Sequence, residues 1–565
     1  MNRADRRHQE QQQPKTGRIP DTFAVRTLLD EGKGHHQAGR LQEAERLYRL
    51  ALGMAPDHPE ALHLLGLLLY RLNRYDEAIA SIARAIDRHP SSPLYWFNLG
   101  VVTQKASRRE DAIRAYRQAM TLNPRYLEAF INLGNVLKDQ GSASEAREAY
   151  QQALALNPSH ADTHNNLGVI LKDEGHSTRA IESYRQAINL KPTHIEAFNN
   201  LGLALMERGS LDEAISAFEQ ALTIVPGYGK ALYNLGIAWS WKGNDDKAVK
   251  CFQQVADAKH NHGHPVAEPS IYRSRLKHDS EQIRYLLGQQ RLGSEWQSYL
   301  HSLEQLRDKL ARVPDTGNRI SIDPSELDPI APSFNRFLYQ ADCPRLTRTA
   351  LNPALDVQAI ESRYLSKQPE VTFIDALLTQ EALEALRRFC WESTIWKKDY
   401  ENGYIGAFLG DGFATPLLFQ IAEELRLRFP RIFKQHRLTQ SWVFKHDSAR
   451  RGLNIHADAA AVNVNFWITP DNANLNPDTG GLVVYDKEAP RAWNFRDYNS
   501  DRNKPKILEW LRQVNARAVK IPYRANRAVV FNSDLFHETD EVSFKDEYLS
   551  RRINITLLYG YRLQA

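Results

Sequence analysis

Prolines stand at positions 56, 90, 124, 158, 192 and 226, each 34 residues after the last. A repeat this short cannot bury a hydrophobic face alone, so units of this length must stack on one another. The same period carries Gly32, Gly66, Gly100, Gly134, Gly168, Gly202 and Gly236, and also Ala44, Ala78, Ala112, Ala146, Ala180, Ala214 and Ala248. A third series, Ala51, Ala85, Ala119, Ala153, Ala187 and Ala221, is interrupted at Val255. Small residues at these places let two antiparallel helices approach closely, and the proline closes one unit and opens the next. The period predicts an all-α solenoid of seven helix pairs over residues 25–262, behind a polar, basic tail over residues 1–24 that lacks the apolar core of a signal peptide.

The unit LEAFINLGNVLKDQGSASEAREAYQQALALNPSH, residues 127–160, resembles the tetratricopeptide repeat family. The last unit ends in DAKHNHGH without the proline, and His260, His262 and His264 read as a solvated linker rather than a metal tract. Two residues ahead of the glycine, five units carry asparagine: Asn98, Asn132, Asn166, Asn200 and Asn234. This position lies on the first helix of each unit, which lines the concave surface in tetratricopeptide folds. The asparagines resemble the ladder in the repeats of O-linked N-acetylglucosamine transferases, and that resemblance implies a groove holding a protein or peptide by its backbone. An amide offers both a donor and an acceptor to a peptide unit whatever its side chain. The alternative is that each asparagine bonds its neighbouring helix and only stitches the solenoid.

Few function classes are excluded by composition. No run approaches the roughly 18 apolar residues of a membrane span, and a formal charge of +5, from 73 basic and 68 acidic residues with no long basic run, gives no sign of nucleic acid. Three scattered cysteines, Cys251, Cys343 and Cys390, make neither a disulfide framework nor a thiolate zinc site, which points to a reducing, cytoplasmic setting. Oligomeric state is not legible.

Residues 263–369 read as a connector, a charged amphipathic helix over 270–313 followed by the proline-rich IDPSELDPIAPSFNRF. Over 370–565 the pattern changes. Helices are expected after Thr379, as a cap, and over 416–429. Then come strand-sized runs, LTQSWVFKHD, GLNIHADAAAVNVNFWITP, GGLVVYD, AVKIPY, RAVVFNSDLFHETD and RRINITLLYGY, which predict a β-sandwich or barrel. Within them His456 and Asp458 stand two apart, His537 follows 81 residues after His456, and Arg552 opens the last run. The triplet HAD alone decides nothing, since it recurs at His160–Asp162 among the repeats, where it reads as solvated.

The ordered set resembles the Fe(II)- and 2-oxoglutarate-dependent oxygenases, and RINITLLY is similar to a strand of the prolyl hydroxylases among them. The resemblance implies a double-stranded β-helix, or jelly roll, with His456, Asp458 and His537 as both metal ligands and catalytic centre and with Fe(II) and 2-oxoglutarate as cofactor and cosubstrate. Two imidazoles and a carboxylate on one face of Fe(II) leave positions for a keto acid and dioxygen. If HxD lies on a strand, both side chains point to one side. By the same parity Arg552, Asn554 and Thr556 face inward, with Arg552 a fork for the cosubstrate's carboxylate and Arg551 outward. Asn554 and Tyr485 are expected beside the cosubstrate, and Asn463, Asn465 and Trp467 either line the pocket or pack the barrel. The expected function is a dioxygenase hydroxylating a protein or peptide presented by the repeats, a pairing that resembles leprecan-type prolyl hydroxylases. The alternatives are a non-enzymatic repeat scaffold with a degenerate barrel, and an oxygenase of a small molecule whose repeats bind a partner.

Overall fold

The computed structural model describes residues 22–260, 270–313, 318–366, 368–433, 436–447, 454–490, 493, 495–499 and 501–560, so the N-terminal tail up to residue 21 and the histidines at 262 and 264 lie outside the described residues. The chain forms two compact units, Met1–Arg208 and Gly209–Ala565.

Met1–Arg208 carries the helix pairs Thr22–Gln37 with Leu41–Met54, Pro59–Arg71 with Tyr75–Arg88, Pro93–Lys105 with Arg109–Leu122, Leu127–Gln140 with Ala143–Leu156, Ala161–Asp173 with Ser177–Leu190, and then Ile195–Glu207. Both alanine series are sealed here, with Ala112, Ala146, Ala153 and Ala180 fully buried. The glycine series has a steric cause: Gly100, Gly134 and Gly168 face the rings of Tyr116, Tyr150 and Tyr184, where a Cβ would lie 2.5–2.6 Å from a ring carbon. Gly141, at φ 90°, ends its helix in the left-handed region.

The asparagines do stitch. Asn166 Nδ2 donates to Asn135 Oδ1 of the preceding pair at 3.1 Å, Asn200 Nδ2 to Asn165 Oδ1 at 2.9 Å, and Asn98 Nδ2 meets His63 Nε2 at 2.8 Å. Burial pushes the His63 pKa down to about 4, leaving a neutral ring. Asn132 bonds the Tyr116 hydroxyl instead. The first HAD is not simply solvated: His160 Nδ1 accepts from the Thr163 amide at 3.2 Å and caps its helix.

Gly209–Ala565 opens with the helices Leu211–Ile224, Gly229–Trp241 and Asp245–His260. The last of these packs within its unit, so His260 does not belong to a solvated linker as expected. Lys259 and His260 approach Asp411 Oδ1 at 3.2 and 3.4 Å, Asp245 pairs with Arg345 at 2.6 Å, and Trp241 Nε1 donates to the Leu438 carbonyl at 2.6 Å. The connector is likewise a packed layer. Strands β1 (Ser270–Tyr272) and β2 (Arg319–Ser321) pair antiparallel, and the helices Arg273–Gly288 and Gln297–Ala311 share a core with Leu276, Ile283, Leu303, Leu306, Ile330 and Phe334.

Among the described residues ten further strands form two antiparallel sheets. One has seven strands in the order β3 (Val371–Ile374), β10 (Ala528–Asn532), β7 (Val462–Trp467), β12 (Ile553–Tyr559), β6 (Leu438–His446), β5 (Tyr404–Phe408), β4 (Lys398–Asp399). The other has three, β11 (Leu535–Thr539), β8 (Leu482–Glu488) and β9 (Ala518–Ile521). The expected helices are present as Gln380–Glu392, capped by Thr379, and Pro416–Arg428, capped by Thr415. β12 is buried along its whole length, on both faces.

Candidate metal centre

His456 and Asp458 are not on a strand, contrary to expectation. They lie in an extended segment ahead of β7 held by backbone bonds: the His456 amide donates to the His537 carbonyl at 3.0 Å and the His537 amide returns the bond at 2.8 Å, while the Ala457 and Asp458 amides donate to the Tyr498 and Ser533 carbonyls at 3.1 and 3.2 Å. The two-residue alternation survives without a ladder. Ile455 and Ala457 turn into a core with Tyr498, Ile507 and Phe536, and His456 and Asp458 turn the other way.

There they meet His537, and one ligand atom from each of the three residues lies within 4.8 Å of the others. His456 Nε2 is 3.8 Å from Asp458 Oδ1, and His537 Nε2 is 3.4 Å from Asp458 Oδ2. The outer nitrogens fix the tautomers. His456 Nδ1 faces the Asn454 carbonyl at 2.7 Å and His537 Nδ1 faces the Leu535 carbonyl at 3.1 Å. A carbonyl only accepts, so each Nδ1 carries a proton and each Nε2 is the nitrogen turned inward, toward Asp458. Asp458 is held by Asn463 Nδ2 on Oδ2 at 2.8 Å and by Asn499 Nδ2 on Oδ1 at 3.5 Å. Burial pushes the Asp458 pKa up, but the His537 hydrogen bond and the two nearby imidazoles outweigh it and hold the carboxyl below its usual range. Two imidazole nitrogens and an ionised carboxylate with their outer atoms already bonded are a donor set that fits a divalent transition metal.

The triad opens into a pocket walled by Trp442 of β6, Asn463 and Asn465 of β7, Thr556 of β12, and Leu482 and Thr539 of the smaller sheet. Register explains the wall: Thr556 stands opposite both Trp442 and Asn465, and Thr539 opposite Leu482. Trp442, Leu482, Thr539 and Asn499 escaped the reading of the sequence. Thr539 carried a signal, since it shares strand parity with His537. Trp442 was legible only through its partner in β12.

Behind this wall lie Asn554 of β12 and Arg552, the residue just ahead of that strand, which do not line the cavity itself. Arg552, 1% exposed, donates from Nε to the Gly480 carbonyl at 2.6 Å, from Nη2 to the Gly481 carbonyl at 3.3 Å and from Nη1 to Asn554 Oδ1 at 3.0 Å. Its Cζ is 5.7 Å from the Trp467 ring, which places Trp467 in this layer and not in the cavity wall. Burial lowers the Arg552 pKa to about 10, and no carboxylate forms an ion pair with it among the described residues. Of the five N–H groups of a guanidinium, three are engaged, which leaves two for an anion. His446 Nε2 meets Asn554 Oδ1 at 3.1 Å, and burial followed by the charge of Arg552 keeps that imidazole neutral. The Gly480–Gly481 pair is required by space: Gly480 has φ 82°, and a Cβ on Gly481 would collide with the Ile521 carbonyl.

Two expectations are corrected. Tyr485 does not approach the site; on β8 Leu482 and Val484 share the face of His537, so Tyr485 faces away and its hydroxyl donates to Glu538 at 2.7 Å. Arg551 does point away from Arg552, but into protein rather than water: it is 2% exposed and forms an ion pair with Glu281 of the helix Arg273–Gly288.

Comparison with known proteins reaches the repeats. Residues 3–229 match the family profile described as the cilia and flagella-associated protein 70 C-terminal domain, and residues 205–267 match a tetratricopeptide repeat profile. No curated protein matches the chain. Solved structures similar to it include MamA, at 29% identity over 28% of this chain and 91% of that one with a TM-score of 0.27. YrrB, described as a tetratricopeptide repeat protein with an unusual peptide-binding site, is similar at 26% identity over 31% and 91%, TM-score 0.28. PilF of Pseudomonas aeruginosa is similar at 20% identity over 37% and 95%, TM-score 0.33. No helix among the described residues is long and apolar enough to cross a membrane. The chain carries a tetratricopeptide repeat array, followed by a separate region of antiparallel sheet.

Proposed function

We propose that the sheet region is a double-stranded β-helix housing an Fe(II)- and 2-oxoglutarate-dependent oxygenase, and that the protein hydroxylates a protein or peptide engaged by its repeats. The observation that carries this reading is the cluster of His456, Asp458 and His537, with both Nε2 atoms turned inward on a pocket behind whose wall Arg552 sits without an ion-pair partner among the described residues. Bound Fe(II) with 2-oxoglutarate and dioxygen supplies an oxidant that turns a C–H bond into C–O–H while the keto acid is decarboxylated to succinate.

The chain's own residues have separate tasks. Asn463 and Asn499 hold the Asp458 carboxylate in place, and the carbonyls of Asn454 and Leu535 hold the imidazoles. Arg552 attracts the far carboxylate of the cosubstrate with its two remaining N–H groups, and neutral His446 keeps Asn554 turned toward it. Trp442 and Leu482 keep one side of the cavity apolar. A protein or peptide partner is favoured by the kind of repeat. Asn98, Asn166 and Asn200 each spend one contact on a neighbouring helix and Asn166 a second on Asn165, and the remaining amide groups are left for a ligand backbone.

The test is anaerobic addition of Fe(II) and 2-oxoglutarate to the purified protein. A weak visible absorption band that requires both, and that vanishes in Asp458→Ala, supports the reading. Absence of the band, with no succinate formed on admitting air, refutes it.

A further inference from the structure

Two side-chain oxygens in the cavity wall are buried without a hydrogen-bond partner among the described residues, Asn463 Oδ1 and Asn465 Oδ1. The two asparagines are 0% and 6% exposed, so water from outside does not readily satisfy them. They differ in what holds them. Asn463 Nδ2 donates to the Asp458 carboxylate, which can only accept, so this amide cannot be turned over without setting oxygen against oxygen. Asn465 Nδ2 donates to Thr556 Oγ1 at 3.0 Å, and a hydroxyl both donates and accepts. Turning the Asn465 amide end for end therefore keeps its bond, now from the Thr556 O–H to Oδ1, and aims the NH₂ into the cavity. The two ends of the amide have nearly the same shape, so the turn costs no packing.

We propose that Asn465 is a specificity-determining residue of this site, a side-chain donor turned toward the cosubstrate by Thr556; this rests on the oxygenase reading above. 2-Oxoglutarate has two carboxylates and a ketone and therefore only accepts at neutral pH. Between the triad and Arg552, Asn465 and Thr556 face each other across the register of β7 and β12. With the amide oxygen inward, this stretch of wall opposes an acceptor-only ligand. With the NH₂ inward, it binds one and leaves no orphaned oxygen on Asn465. Asn463, unable to turn, stays an acceptor and marks the side from which a donor must come, on the substrate or a water.

The test uses the full-length protein loaded with Mn(II) under nitrogen, where no turnover occurs, and titrates 2-oxoglutarate by calorimetry. Asn465→Asp, which keeps the shape and replaces the donor by an acceptor, is expected to weaken binding a hundredfold or more. Thr556→Val is expected to weaken it several-fold and Thr556→Ser to restore it. Mn(II) affinity without the keto acid should stay near wild type. Wild-type affinity in both Asn465→Asp and Thr556→Val overturns the proposal and leaves the oxygenase reading standing. Loss of Mn(II) in step with the keto acid also overturns it, because the residue then acts through the metal. If the unaltered protein binds Mn(II) but no 2-oxoglutarate, the oxygenase reading itself falls.

Discussion

Adjacent arginines at 551 and 552, just ahead of β12, point to opposite sides, and the structure predicts opposite consequences for removing them. Arg551 is 2% exposed and its partner Glu281, on the helix Arg273–Gly288, is 17% exposed. Arg551→Ala leaves that carboxylate in a largely dry seam between helix and sheet. Removing one partner of a buried ion pair costs about 3–5 kcal/mol; the residual exposure of Glu281 places this case near the lower end, about 3 kcal/mol. For a unit of this size each kcal/mol lowers the melting temperature by roughly 2 °C, so a fall of roughly 6 °C is expected. The loss has a definite pH dependence. Burial already raises the Glu281 pKa above its ordinary value even though Arg551 opposes the shift, and without Arg551 it rises further. A carboxyl with a raised folded-state pKa stabilises below its unfolded pKa, and that contribution is lost as pH rises through the folded value. The deficit of Arg551→Ala is therefore largest at neutral pH and shrinks on acidification toward the ordinary glutamate range. Differential scanning calorimetry of the wild type, Arg551→Ala and Arg551→Met with Glu281→Leu, at pH 7.5 and 5.5, measures it. The double variant should recover most of the stability, since apolar groups of similar size pack such a seam as well as an ion pair does. A single variant that melts with the wild type, or whose deficit grows on acidification, would refute the reasoning.

Alanine at His456, Asp458 or His537 is expected to abolish Fe(II)-dependent succinate formation with little change in far-ultraviolet circular dichroism, because two protein ligands hold a divalent metal poorly. Arg552→Ala should mainly raise the 2-oxoglutarate requirement, by a charge-assisted contact worth on the order of 2 kcal/mol, which steady-state KM and kcat will separate from the folding defect of Arg551→Ala. Gly134→Val places a branched side chain where a Cβ alone would stand 2.5 Å from Tyr150; a loss of roughly 3 kcal/mol or more in urea unfolding is expected, against little effect at Gly34, where nothing lies within 4 Å. Changing Asn166 and Asn200 together to alanine removes two bonds between successive pairs and should cost about 2 kcal/mol of repeat stability; an unchanged melting curve would mean that the asparagines are there for a ligand alone.

What could be read from the chain beforehand follows from how each feature is encoded. The repeats were legible because one steric demand, a glycine under a tyrosine ring and an alanine between helices, recurs at a fixed interval, and each unit testifies for the others. The triad was legible as an ordered set, but the reason given for it was only half right. His456 and Asp458 share a side because extended backbone alternates, yet they are outside any strand, held by the bridge to His537 and by the Asp458 amide on the Ser533 carbonyl. Local pattern fixes parity; it does not say what covers each face. That is why Arg551 was expected in water. β12 is buried on both faces, and a strand buried on two sides needs a second layer, here supplied by the charged helix Arg273–Gly288 that composition alone marked as a connector. Tyr485 failed for a related reason: its parity is opposite to that of Leu482 and Val484, and only the pairing of β8 with β11 identifies which of the two sets faces His537. The hidden parts of this site are thus the cross-strand partners. Trp442, Asn465 and Thr556 come from three strands separated by long stretches of sequence, and they become one wall only when the register sets them level. The same register puts the one amide in the wall that can turn over directly opposite a hydroxyl, which is the arrangement an acceptor-only ligand requires.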